Sequence, residues 1–254
     1  MNLRYSLEKG LCVLVKIAVI YWFYIFIMRT TMVIWHINTL LSHCISIFLN
    51  ILFPFFLLIW YYRKEGLKTF VVKDINHKIW LWTFLLCISQ YLFIIAFYGY
   101  PIWFFNNSVM TNGVIINTFR IVFCTPLVEE ILFRGLLQKQ LSKNLTPWLS
   151  ILIVSILFSL CHFFKNIPSM FPAFLTGIIC GTIYKNTNKL IVCIFFHSLY
   201  NFLASIMRPS FQYVLILQIL SFLLALALAV YVVRKYINDN NFNLKFSSQI
   251  INSQ

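Results

Sequence analysis

Apolar residues run through this chain in long uninterrupted stretches, separated by short polar turns. Eight such stretches lie at 11–28, 38–62, 78–99, 113–141, 147–164, 168–185, 188–207 and 211–234. Each is near the ~20 residues that a helix needs to cross the core of a bilayer. The runs are continuous rather than alternating, which predicts transmembrane helices and not a transmembrane β-barrel. The fold class read from this pattern is all-α, a polytopic membrane helix bundle of about eight spans. Pro126 stands inside the fourth stretch, so that helix is expected to break there or to start late. No linker, low-complexity run or internal repeat divides the chain. It reads as one structural domain with N-terminal spans at 1–112, a core at 113–207, and a last span and tail at 208–254.

Composition agrees with that picture: 61% of residues are hydrophobic and 10% charged, where soluble chains run nearer a quarter charged. The net charge of +14 is not gathered into a groove or stripe, so no nucleic acid is expected as a partner. It alternates instead. Fourteen lysines and arginines, from Arg4 to Lys245, fall in one set of loops, and only Arg29, Lys165 and Arg208 fall in the other. That is the positive-inside pattern, and it predicts both termini on the cytoplasmic side. An uncleaved first helix is expected, because no small-residue cleavage site follows the first apolar run. The expected location is a multi-pass cell membrane. The heavy use of Ile, Phe, Asn, Lys and Leu points to an AT-rich bacterial genome and hence a bacterial plasma membrane.

Against this background, a few polar groups stand out. An ionisable side chain deep in a span costs about 2.5–3.5 kcal/mol on insertion scales, so it is kept where it pairs, faces a cavity or does chemistry. Three clusters qualify: Glu129, Glu130 and Arg134 in "VEEILFRG", His162 in "FSLCHF", and His197 with Asn201 in "FFHSLYNF". On a helix, residues four apart share a face, so Glu130 and Arg134 are neighbours and Arg134 compensates the acid. Glu129 points about 100° away and has no partner on its own helix. Phe158 and His162 share a face, as do His197 and Asn201. From the expected cytoplasmic helix ends, His197 lies about 13 Å deep, Glu129 about 18 Å, Asn201 about 19 Å and His162 about 22 Å. Three helices therefore bring a carboxylate, two imidazoles and an amide to one layer of the membrane.

Such a set suits hydrolysis of an amide. A carboxylate and a histidine hold and deprotonate a water, while a second histidine and an asparagine donate to the oxyanion. Glu129, His162 and His197 also offer three ligands with an open fourth position, as catalytic zinc prefers. The absence of a local metal-binding motif and the presence of asparagine favour the reading without a cofactor over the Zn2+ alternative. There is no H-E-x-x-H and no G-x-S-x-G. The two aspartates, Asp74 and Asp239, lie outside the expected spans, so an aspartyl dyad is excluded.

Other features read as packing. The seven cysteines are scattered singly and behave as small membrane hydrophobes. Gly177 and Gly181 form a G-x-x-x-G pair suited to close helix contact. His36, His43 and Asn50 repeat every seven residues on one face, consistent with a helix contact.

The motifs E-E-x-x-x-R, F-x-x-x-H and H-x-x-x-N occur in that order on successive helices as "EEILFR", "FSLCH" and "HSLYN". In this the chain resembles the CAAX prenyl protease and bacteriocin-processing family of intramembrane endopeptidases, over residues 113–207. The segment "FLTGIICGTIYKNTNKL" between the second and third motifs is similar to the family's glycine-containing helix and basic turn. The resemblance implies Glu129 as catalytic base, His162 as its helper in activating water, and His197 and Asn201 as oxyanion donors. Glu130, Arg134 and Phe158 are then supporting residues. The implied partners are a peptide or membrane-protein substrate and the lipid bilayer. A non-catalytic membrane regulator or bacteriocin self-immunity protein of the same fold is the alternative, with a proton-coupled transporter a more distant one.

Overall fold

In a bilayer every backbone N–H and C=O must find a partner within the protein, and for apolar runs of this length the helix supplies it. The computed structural model describes residues 15, 19–21, 23, 24, 26, 27, 30, 40–65, 70, 75–98, 118–162, 167–206 and 215–251. Among these residues the elements are helical, with no strand. An N-terminal helical segment includes residues 19–21, 23, 24, 26 and 27. It is followed by α1 (Leu40–Glu65) and α2 (His77–Tyr98). The next helix, α3, is composite. A π-helical stretch, Arg120–Cys124, leads into α-helix Thr125–Glu130, then a second π stretch, Ile131–Gln138, and a closing turn, Lys139–Leu141. Helices α4 (Pro147–Cys161), α5 (Met170–Thr187), α6 (Leu190–Ile206) and α7 (Leu215–Ile251) complete the order.

Among the described residues, three segments are long and apolar enough to cross a membrane: His77–Tyr98, Ile167–Thr187 and Ile216–Lys235. Pro147–Cys161 and Leu190–Ser205 are shorter apolar helices. The ends follow local chemistry. Thr146 caps α4, its Oγ1 accepting from the Leu149 N–H, with Pro147 in the first turn where its missing N–H costs nothing. Asn188 stops α5 in the left-handed region at φ 52° and returns its N–H to the Tyr184 carbonyl at 2.8 Å. The last helix runs beyond the expected end at 234, because residues 235–251 contain neither glycine nor proline to end it.

Pro126 does not break its helix. A proline lacks the N–H that an α-helix uses and crowds the carbonyl four residues back. Here the backbone widens instead, and the N–H of Thr125 reaches the carbonyl of Arg120, five residues away. A second such bond joins the N–H of Lys139 to the carbonyl of Arg134. The two widened stretches flank Glu129 and Glu130, and π-bulges are frequent where a helix carries function.

The helices pack around a core that includes Val128, Ile131, Leu132, Leu137, Val154, Phe158, Ile183, Leu190, Val192 and Phe196. Gly177 and Gly181 let α5 close on α4. A Cβ at Gly177 would stand 2.8 Å from that of Ser155, and one at Gly181 would stand 2.9 Å from Ile151. A Cβ at Gly135, the last residue of "VEEILFRG", would stand 2.8 Å from the ring of the fully buried Tyr61 on α1. Polar ties cross between helices as well. Ser89 donates to the Ala225 carbonyl at 2.8 Å, and Gln90 to Thr176 Oγ1 at 2.8 Å. The outward faces remain apolar: Leu220, Leu223, Leu224 and Phe222 on α7 are exposed, as suits contact with acyl chains. Cys87, Cys180 and Cys193 are fully buried free thiols, in keeping with their reading as small hydrophobes. His36, together with the side chains of His43 and Asn50, lies outside the described residues.

Candidate active site

The site is built on α3, where Glu129, Glu130 and Arg134 are all buried, at 2%, 0% and 0% exposure. Charges at that depth persist only with partners of matching geometry. Arg134 Nε lies 3.2 Å from Glu130 Oε2, and Arg134 Nη2 donates to the Gly177 carbonyl at 3.2 Å. One turn on, Gln138 Nε2 donates to the Gly181 carbonyl at 2.9 Å. Two residues four apart on α3 thus read two carbonyls four apart on α5. The glycines permit this by leaving their backbone uncovered.

The other carboxylate oxygen of Glu130 binds His197 on α6, with Nδ1 donating to Oε1 at 2.8 Å. The opposite ring nitrogen, Nε2, faces Glu129 Oε2 at 3.6 Å, past the length of a direct hydrogen bond. Glu129 has a further partner: Tyr21, from the N-terminal helical segment, donates its hydroxyl to Oε1 at 3.2 Å. His197 therefore sits between two carboxylates on adjacent positions of one helix, each steered by a different neighbour.

His162 closes α4. Its Nδ1 lies 3.0 Å from the Phe158 carbonyl. A carbonyl only accepts, so Nδ1 carries a hydrogen, and in the neutral ring Nε2 holds the lone pair. Phe158 links this histidine to the rest. Its ring stands 4.9 Å from that of His162, 5.8 Å from that of His197 and 5.1 Å from that of Phe133, and the Arg134 guanidinium lies 4.9 Å over it. The fully buried aromatic is the shared wall of the cluster.

Asn201, one turn beyond His197 on α6, donates from Nδ2 to the Ile121 carbonyl at 2.9 Å. The reason that carbonyl is open lies in α3. Its α-helical donor, the Thr125 N–H, is turned to Arg120, and the residue that would serve it in the widened register is Pro126, which has no N–H. Asn201 supplies the missing donor. The primary amide has two N–H groups, so this bond fixes the side chain while using one of them.

Glu129, Glu130, Arg134 and His197 thus touch directly, His162 joins them through Phe158, and Asn201 is anchored to the first π stretch. Among the described residues, no three His, Cys, Asp or Glu side chains converge as metal ligands do. Glu129, His162 and His197 do not form such a triangle.

Residues 110–203, which contain every residue of this cluster except Tyr21, match the family model "Type II CAAX prenyl endopeptidase Rce1-like". That segment is similar to an Rce1-like domain, and the match spans less than half of the chain. The family is the one that the three motifs resemble, and it implies an intramembrane protease of the CAAX type. The apolar helices agree in making this a membrane protein. No curated protein and no solved structure matches the chain.

Two members of the surroundings of the Rce1-like site were not singled out by sequence. Tyr21 lies outside the matched segment and is one of thirteen tyrosines in the chain. Its only sequence signal is a hydroxyl in an apolar helix. Gln138 carries a clearer one, since it stands four residues after Arg134 and continues the same polar face.

Proposed function

We propose that the chain is an intramembrane endopeptidase that hydrolyses a peptide bond in a peptide or membrane-associated protein, with no covalent intermediate. The observation that carries this reading is the buried His197 held between Glu129 and Glu130 within the segment that matches the Rce1-like family model. Glu129 is the general base. Its Oε2 takes a proton from water as the oxygen attacks the scissile carbonyl, and the lone pair on His162 Nε2 accepts the other O–H and orients it. The developing oxyanion receives hydrogen bonds from His197 Nε2 and from the second N–H of Asn201. For Nε2 to donate, the ring must carry both protons, and the Glu130 carboxylate at Nδ1 supplies the opposing charge. Collapse of the tetrahedral intermediate breaks the C–N bond. Glu129 then returns its proton to the departing amine, leaving a carboxylic acid, which ionises by losing its proton to solvent, and a free amine.

Arg134 and Phe158 position this set: Arg134 balances Glu130, and Phe158 keeps both imidazoles in place. The same reading takes the chain as about eight spans with both termini in the cytoplasm, supported by fourteen basic residues on one side against three on the other. It puts the protein in a bacterial plasma membrane. The reaction proceeds without a metal cofactor.

The test is cleavage of a panel of leader and C-terminal peptides by purified protein in nanodiscs. Glu129→Gln and His162→Ala are compared with wild type, each with and without chelator. The expected result is loss of about 10²–10⁴-fold for Glu129→Gln, a comparable loss for His162→Ala, and no effect of chelator. Full cleavage by Glu129→Gln overturns the assignment. Loss on chelation that zinc restores replaces it with a metal mechanism.

A further inference from the structure

Glu129 is reached from outside the segment that matches the Rce1-like family model. The Tyr21 hydroxyl donates to Oε1 at 3.2 Å, and both side chains are buried, at 5% and 2% exposure. The tyrosine ring is itself held. It meets Phe133 edge-on at 5.7 Å, and Phe133 packs against Phe158, the wall shared by both histidines. One turn later in the N-terminal segment, the Tyr24 hydroxyl shares a hydrogen bond with Thr125 Oγ1 at 3.0 Å. Residue numbers rise along one helix and fall along the other, from 129 to 125, so the two run antiparallel. Each tyrosine meets one residue of α3, and those residues are a turn apart. This is a registered contact with two fixed points.

The consequence concerns the two oxygens of Glu129. A carboxylate turns about its last bond, and with one oxygen unclaimed either could face His197. Here Tyr21 takes Oε1, and Oε2 faces Nε2 of His197 at 3.6 Å. We infer that Tyr21 is a positioning residue for Glu129, supplied by a helix outside the matched domain, which fixes the carboxylate so that Oε2 faces the reacting water. The inference rests on Glu129 being the base. Tyr24 repeats the packing without touching the carboxylate, so it serves as the internal control.

The experiment measures kcat and KM separately for wild type, Tyr21→Phe, Tyr24→Phe and Glu129→Gln, all in the full chain in nanodiscs with one cleavable peptide. Tyr21→Phe keeps the ring that meets Phe133 and removes only the hydroxyl. Its expected effect is a fall in kcat of about 10- to 100-fold, the size of a lost hydrogen bond to a charged group, with KM unchanged. Tyr24→Phe is expected to keep the wild-type kcat. Adding Tyr21→Phe to Glu129→Gln is expected to cost nothing further, since no carboxylate remains to be aimed. Wild-type kcat in Tyr21→Phe overturns the inference, as does an equal fall in Tyr24→Phe, which would assign the effect to helix docking. Full activity in Glu129→Gln instead removes the base on which the inference stands, and that result is read independently of either tyrosine.

Discussion

Arg134 and Glu130 meet one helical turn apart, Nε to Oε2 at 3.2 Å, with neither side chain exposed at all. Buried pairs of this kind add little net stability compared with apolar replacements, but removing one partner strands a charge. Arg134→Met is therefore expected to lower stability by about 3–5 kcal/mol, read as a fall in the melting midpoint in detergent. The double replacement Glu130→Leu with Arg134→Met should recover most of that loss. It should remain inactive, because His197 loses its carboxylate at Nδ1.

Pro126 keeps the Ile121 carbonyl open for Asn201. Pro126→Ala returns an N–H to that position and gives the carbonyl a backbone donor. The expected outcome is a protein as stable as wild type or more so, whose cleavage falls by up to about 10²-fold because the Asn201 amide is no longer held in place. Wild-type kcat in this variant would show that the proline sets the backbone alone.

Gly177 approaches the Ser155 backbone so closely that a Cβ added to the glycine would stand only 2.9 Å from the serine Cα. Gly177→Ala must separate α4 from α5 and displace the carbonyl that Arg134 reads. A cost of about 1–3 kcal/mol is expected, measured by thermal melting. A Ser155→Gly background, which removes the facing Cβ, should return part of it.

Phe158 touches both imidazoles and the Arg134 guanidinium. Phe158→Leu keeps most of the volume, so its stability should fall by less than about 1.5 kcal/mol. Its kcat should fall more than that change accounts for, since both rings lose their wall. A parallel loss of stability and kcat would reduce the phenylalanine to core packing.

The sequence was most readable where one helix decides the contact. The Glu130–Arg134 neighbourhood follows from four-residue spacing, and the close approach at Gly177 and Gly181 follows from two small residues on one face. The start of α4 at Pro147 agrees with the expected one, whereas the last helix runs past its expected end at 234 to Ile251. The widened register of α3 was not legible. It arises where Pro126 denies a donor to Ile121 and Val122, and an expected break is a natural first reading of the same fact. The two-sided hold on His197 also escaped spacing rules, because it joins adjacent residues on α3 to one ring on α6. Tyr21 was invisible for a plainer cause: its partner lies 108 residues away, and nothing local in an apolar helix marks which hydroxyl will find it.

That separation has a consequence for biogenesis. Translation delivers Tyr21 to the membrane long before Glu129 exists, so the first helix must wait, undocked on that side, until α3 is inserted. Only then do its tyrosines find Thr125 and Glu129. The Glu129 carboxylate thus meets a segment made early and engaged late, and the newly made chain lacks the Tyr21 hydrogen bond until the helices around it have entered the bilayer.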